Sequence, residues 1–354
     1  MRSLKFIGFI GCLVVIIFSH SWSLANPCDL SFQPDVEIST GEWTKTGFAR
    51  ANIALVKAGN GHFVTPQKEH ELIKNGADVI MIKNPSSIDL SVLTEDRGYH
   101  YGPLFISRVK PTMDMFDEID SQNDKTEKQR KKSKDTLKRK LKKTDENSDY
   151  NVTIQALNVE GLNELKRVFY DTVGKKEFAV DTFSDEFINS KIQEIKKGVH
   201  SNFQLLIKHK DFGVVGGMVL EVLDEGMAIK VKRAAYSKDP EHKSNYLSIR
   251  AVYELTKFAL KNYIPTLSYG SDPNFYGELT SLGLMKFKSE LGFGVAPGEV
   301  FAEPRLVKVL NPEVIGPYVT FSYKDLEKQK GFVAHVYGTS EVESLPKGIE
   351  VIFH

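Results

Sequence analysis

GLMKFKSELGF, residues 283–293, places Lys286 and Lys288 inside an otherwise apolar helical pattern and then closes on a glycine. Phe287 and Leu291 stand four residues apart, so they share one face and point inward. Gly292 supplies the left-handed stop that ends many helices. Lysine is ordinarily exposed, so Lys288, next to that inward face, is either a wet surface residue or an ammonium aimed at something negative.

Working outward, the flanking segments define the kind of sheet this helix sits on. Residues 151–157 alternate as a strand, and residues 159–173 and 183–197 carry apolar residues at helical spacing, with Leu162, Leu165, Val168 and Phe169 on one face. Residues 202–208, 212–222 and 226–233 read as an antiparallel meander, the first two joined by a tight turn at Lys210-Asp211. A helix with a broad apolar face follows (Tyr246, Ile249, Val252, Leu255), capped by Ser244, then a strand over 264–270. Asp272 or Asn274 is placed to cap the helix that ends at Gly292. The order is strand, two helices, three antiparallel strands, helix, strand, helix.

That order resembles the GNAT acyltransferase fold. The segments Asn245–Tyr253, Leu267–Gly270 and Gly283–Gly292 resemble its FemAB-like branch, the peptidoglycan-interpeptide aminoacyltransferases, with a Tyr-rich helix, a strand ending in Gly and a Gly-Leu-x-x-Phe-Lys-x-x-Leu-Gly signature. The expected fold is therefore α/β with a mixed sheet, GNAT-like in the C-terminal half. Because such proteins commonly hold two units in tandem, the resemblance implies a divergent GNAT-like unit in the N-terminal half. The expected division is a signal peptide over 1–25, an N-terminal α/β domain over 26–120, a basic linker helix over 121–150, a GNAT-like domain over 151–310 and a C-terminal extension over 311–354.

The resemblance implies transfer of an acyl or aminoacyl group from an activated donor to an amine or hydroxyl of an envelope, glycan or peptide acceptor. Acyl-CoA is the less favoured donor. Its pyrophosphate needs a glycine-rich amide cradle at a helix start, whereas the corresponding loop, Tyr236–Lys243, has no glycine. Lys288 matches the family lysine and suits neutralisation of a donor phosphate or of the oxyanion formed during attack. Proton removal needs a base with a pKa near the working pH, for which Asp272 and His242 are the catalytic candidates. Their bland alternatives are a helix cap and a solvated loop residue. Arg233, Tyr246, Tyr269 and Lys286 are the substrate-binding candidates, against plain surface charge and aromatic packing. With no activated Ser or Cys visible, direct attack without a covalent enzyme intermediate is expected. The competing class is a binding protein: a GNAT scaffold without a donor site that recognises an anionic envelope polymer.

The rest of the 354-residue chain bounds these readings. With 41% hydrophobic and 26% charged residues and a net charge of +1, it is long enough for two cored domains and has no global field to recruit nucleic acid. Arg2 and Lys5, the apolar run 6–18 and Ser23-Leu24-Ala25 read as a secretory signal, with an uncleaved anchor as the alternative. Either way the body is exported, periplasmic or secreted, since no Lys or Arg follows the run until Lys45. Cytosolic donors such as aminoacyl-tRNA stand in tension with that placement. Removing the signal takes Cys12 and leaves Cys28 alone, so no intrachain disulfide is expected.

Residues 125–143 hold eleven Lys and Arg against Glu127 and Asp135, with Leu137 and Leu141 forming one narrow contact line. This is a solvated linker helix or an arm that grips an anionic polymer or membrane surface. It has no interleaved aromatics for base stacking, and sequence-specific nucleic acid is not expected. The nine histidines show no ligand spacing, so no metal is expected, and there is no Walker loop or Gly-x-Ser-x-Gly elbow. Gly213, Gly216 and Gly217 lie inside a strand and suit a bulge or close strand packing.

Overall fold

The computed structural model describes residues 36–40, 51–57, 64–83, 85, 97–122, 125–145, 149–172, 182–239, 246–277, 282–297, 304–339, 345–346 and 348–354. The predicted signal segment and His242 lie outside them. Among the described residues no helix is long and apolar enough to cross a membrane.

The N-terminal half builds β1 (Val36–Thr40), β2 (Asn52–Lys57), α1 (Pro66–Lys74) and β3 (Val79–Lys83). Thr65 caps α1 by accepting from the Lys68 amide at 3.1 Å, and Pro66 occupies the first turn, where its missing N–H costs nothing. β2 and β3 are parallel, with both faces buried: Ala54, Val56, Ile80 and Ile82 on one side, Ile53, Val79 and Met81 on the other.

The strand-like run from Tyr101 to Val109 divides between two strands in two sheets, β4 (His100–Pro103) and β5 (Phe105–Pro111). Pro103 cannot donate to a continuing ladder. At Gly102 a Cβ would sit 2.4 Å from the Phe321 carbonyl, so only glycine allows that approach. β4 pairs with β12 (Pro304–Val309), which also pairs with β3, giving the order β1-β2-β3-β12-β4.

After α2 (Met115–Asp120) and α3 (Glu127–Asp145), the second half lays out β6 (Tyr150–Ala156), α4 (Val159–Thr172), α5 (Asp185–Lys196), β7 (Asn202–His209), β8 (Gly213–Leu223), β9 (Ala228–Tyr236), α6 (Leu247–Lys261), β10 (Thr266–Pro273), α7 (Leu282–Glu290) and β11 (Gly294–Pro297). β6 to β9 form an antiparallel meander and β10 joins β9 in parallel. This is the element order read from the sequence. β5 fills the place between β10 and β11, antiparallel to both.

The two halves thus exchange strands, β5 going forward and β12 going back. Residues 34–354 form one compact unit, and the sheets do not divide at the expected linker. A bulge opposite Ile207 and Lys208 brings β7 against Gly217, where a Cβ would lie 2.1 Å from the Leu205 carbonyl, so close packing accounts for that glycine.

α4 and α5 cover one face of the seven-stranded sheet through Leu162, Leu165, Phe169 and Ile188. α6 covers the other through Leu247, Val252 and Leu255. Leu137 and Leu141 of α3 are buried in that second core, so the basic helix is docked on the fold along the predicted contact line while most of its lysines face outward. Each such leucine contributes about 1.5–3 kcal/mol by burial.

Residues beyond β12 form α8 (Pro312–Ile315) and a third sheet of β13 (Tyr318–Asp325), β14 (Lys330–Tyr337) and β15 (Glu350–Phe353).

A chain starting at Thr112 lacks β5 and leaves β10 and β11 without their shared neighbour. It is expected to show no cooperative thermal transition by circular dichroism. A sharp transition would mean that the C-terminal half completes its own sheet.

Candidate functional site

α7 and the end of β10 build the site. Asp272 is the penultimate residue of β10 and does not cap a helix, because α7 begins ten residues later. Asn274 is no cap either: its amide nitrogen donates to the carbonyls of Pro103 and Phe321 at 2.8 and 2.7 Å.

Lys288 is 4% exposed and not a surface lysine. Its Nζ donates to Asp272 Oδ1 at 2.6 Å and to the Tyr269 carbonyl at 3.0 Å. The Tyr276 hydroxyl donates to Asp272 Oδ2 at 2.7 Å. The expected charge handler and the expected base are therefore one buried ion pair.

β5 holds α7 in place. Arg108 and Lys110, two residues apart, share one face of that strand. Arg108 is fully buried and its Nη2 donates to Ser289 Oγ at 2.7 Å, while its Nε and Nη1 meet no hydrogen-bond partner among the described residues. Lys110 Nζ donates to the Leu291 carbonyl at 2.8 Å and to Glu118 Oε2 at 2.7 Å. Gly292 follows with φ +83°, and a Cβ there would fall 1.4 Å from Glu118 Oε1. The backbone conformation favours glycine at the end of this helix, and any side chain there would also have to displace the Glu118 carboxylate.

Lys288 pairs with the one carboxylate of this centre, Asp272, and the second buried cation, Arg108, lies near enough to act on Lys288 and Tyr276. Burial pulls the Lys288 ammonium below the ordinary lysine range, Asp272 opposes that shift and Arg108 adds to it. Burial, reinforced by Asp272, holds the Tyr276 hydroxyl well above its ordinary range, with Arg108 pulling the other way. The cluster is a desolvated, net-positive centre with phenol donors beside it, suited to an anion or a developing oxyanion.

β9 and β10 pair only from Thr266–Ala228 to Ser268–Lys230; β10 then bulges between Ser268 and Ser271 as it follows β5. The gap so opened is filled by Tyr236 and Tyr269, whose hydroxyls lie 3.4 Å apart. Burial pushes Tyr269 up to about 12 and Tyr236 well above its usual range, so both keep their protons.

The neighbours of Lys288 on α7, Phe287 and Ser289, line a cleft of about 460 Å³ whose far wall is the basic helix, with Lys125, Lys132 and Lys140 among its lining. Arg108 reaches the α7 side of the cleft from behind, through Ser289.

The other candidates separate from this centre. Arg233 lies with α5: its Nε donates to the Thr182 carbonyl at 2.6 Å and its guanidinium sits 4.7 Å from the Phe187 ring centroid. It does not meet Lys288. Tyr246 takes a left-handed φ of 51° at the start of α6, in the cap position expected for Ser244, under the ammonium groups of Lys140 and Lys143. Lys286 is half-buried on α7. Arg108, Ser289, Tyr276 and Tyr236 complete the centre and were not anticipated. The available signal for Arg108 was the charged pair at positions 108 and 110 inside a strand otherwise apolar enough to be interior.

No protein-family model matches the chain, and no curated protein does. Among solved structures, L-PGS from Bacillus licheniformis is 15% identical over 76% of this chain and 82% of its own, with a TM-score of 0.36. FemX is 14% identical over 75% and 84%, with a TM-score of 0.38. A GNAT-family acetyltransferase from Staphylococcus aureus MU50 is 17% identical over 32% and 69%, with a TM-score of 0.25. The fold assignment rests on the strand order, and the site on its own geometry.

Lys288→Ala strands Asp272 as an unpaired buried charge and is expected to lower stability by about 3–5 kcal/mol in urea denaturation. The double substitution K288M/D272N leaves no such charge and is expected to recover most of that loss. Gly292→Ala should also destabilise, since its left-handed conformation resists a Cβ and the added methyl would push the Glu118 carboxylate away from Lys110.

Proposed function

We propose that the chain is an acyl or aminoacyl transferase of the GNAT/FemAB-like type, exported across the membrane, acting on an amine or hydroxyl of an envelope, glycan or peptide acceptor. The observation that carries this reading is the buried Lys288–Asp272 pair at the point where β10 leaves β9.

In this reading the donor's anionic part enters the cleft beside α3, where lysines balance its charge. The acceptor attacks the donor ester carbonyl directly, forming the new C–N or C–O bond as the ester C–O bond breaks. The proton leaving the acceptor passes to Asp272, and the departing alkoxide takes one from Lys288. Arg108 adds positive potential behind the oxyanion. An ammonium whose proton is loosened by burial is a better acid than a surface lysine. His242 is the alternative base in this reading. Arg233, held against α5, has no part in charge handling here.

A second reading, a non-catalytic scaffold that binds an anionic envelope polymer or partner through α3, has one observation in its favour. Tyr236 and Tyr269 close the gap between β9 and β10, and Lys288 is already neutralised by Asp272.

The two separate in one experiment. Wild type and K288M/D272N are incubated with aminoacyl-tRNA or an acyl thioester and a lysine-containing peptide, and products are read by mass spectrometry. Binding to heparin as an anionic polymer is measured in parallel. Transfer by wild type that is lost in the folded double variant supports the transferase. Absence of transfer with any donor, together with salt-sensitive heparin binding that weakens when Lys125, Lys132 and Lys140 become glutamine, supports the scaffold.

A further inference from the structure

Three histidines remote in the chain meet where the first sheet approaches the third: His100 on β4, His335 on β14 and His354, just after β15. One ring nitrogen from each lies within 4.8 Å of the other two. His335 Nδ1 and His354 Nε2 are 3.1 Å apart. Two imidazoles on a tetrahedral zinc ion place their nitrogens at about 3.3 Å, given Zn–N bonds of roughly 2.0–2.1 Å.

The surroundings match those of a ligating histidine. The second nitrogen of His335, Nε2, lies 2.7 Å from Ser322 Oγ. Donation of Nε2–H to that hydroxyl leaves the Nδ1 lone pair directed at the cluster, which is how an outer partner fixes a ligand's tautomer. The Tyr337 hydroxyl contacts His100 Nε2, and the Tyr337 ring stacks on His354 at 4.3 Å with an interplanar angle of 5°. The rings are thus held in place by packing.

His335 is buried and His354 exposed, so one side of the cluster is open to solvent for entry of an ion and for a water ligand. A stacked aromatic column by itself explains the rings but not the convergence of their nitrogens.

We propose that His100, His335 and His354 form a binding site for a divalent transition metal of the zinc type, joining the first sheet to the third. Imidazole donors without a carboxylate suit zinc, copper or nickel and disfavour magnesium and calcium. Since its ligands come from strands far apart in the chain, the metal would act as a staple, with its binding free energy added to folding stability.

The test uses the full chain after chelator treatment, titrated with zinc sulfate by calorimetry and with cobalt(II) by visible spectroscopy. A single equivalent bound, with cobalt d–d bands and a higher Tm on adding zinc, is expected. His354→Ala changes an exposed side chain and should retain the chelator-treated protein's Tm while weakening zinc binding at least tenfold. Ser322→Ala, which touches no metal, should weaken it by about 10–100-fold. Failure of the wild type to bind zinc stoichiometrically, or undiminished binding in both H354A and H100Q, would overturn the proposal.

Discussion

The site depends on β5 lying between β10 and β11. From that position a strand of the N-terminal half presents Arg108 and Lys110 to a helix of the C-terminal half, and the two cations tie Ser289, the Leu291 carbonyl and Glu118 to one another. α7 is a short helix whose burial alone gives it modest support. With its last turn fixed by Lys110 and its end shaped by Gly292, Lys288 has one direction left, toward Asp272. Burying three basic side chains beside one another would be prohibitive without their acceptors, so the geometry of strand, helix and carboxylates has to be built together.

Much of this was legible in the sequence. The meander from Asn202 to Arg233, the helices α4 and α5 and the seating of the basic helix on Leu137 and Leu141 all follow from periodicity, which is local. The importance of Lys288 was visible as a basic residue beside an inward face closed by glycine. Its partner was not, because Asp272 next to Pro273 carries the same local signature as a helix cap.

The split between β4 and β5 was hidden for a related reason: an apolar, strand-like run contains no mark of which sheet each half will join. Arg108 was missed because it belongs to the other half of the chain. Arg233 was misplaced because the direction of a strand-end side chain depends on a bulge in β9, between Val231 and Arg233, that sequence spacing does not reveal. The histidine cluster, assembled from residues 100, 335 and 354, has no spacing to read.

The reciprocal exchange of β5 and β12 has a kinetic corollary. The sheet begun by residues 36–83 is completed by a strand at 304–309, so the most N-terminal layer cannot close until nearly the whole polypeptide has been synthesised. Such long-range pairing raises contact order and slows folding. Until β12 arrives, β3 presents an open hydrophobic edge, the kind of surface that chaperones recognise and that aggregates when left unguarded. A nascent chain of this protein would therefore need protection for most of its synthesis, and truncation near the C-terminus should damage the part of the molecule made first.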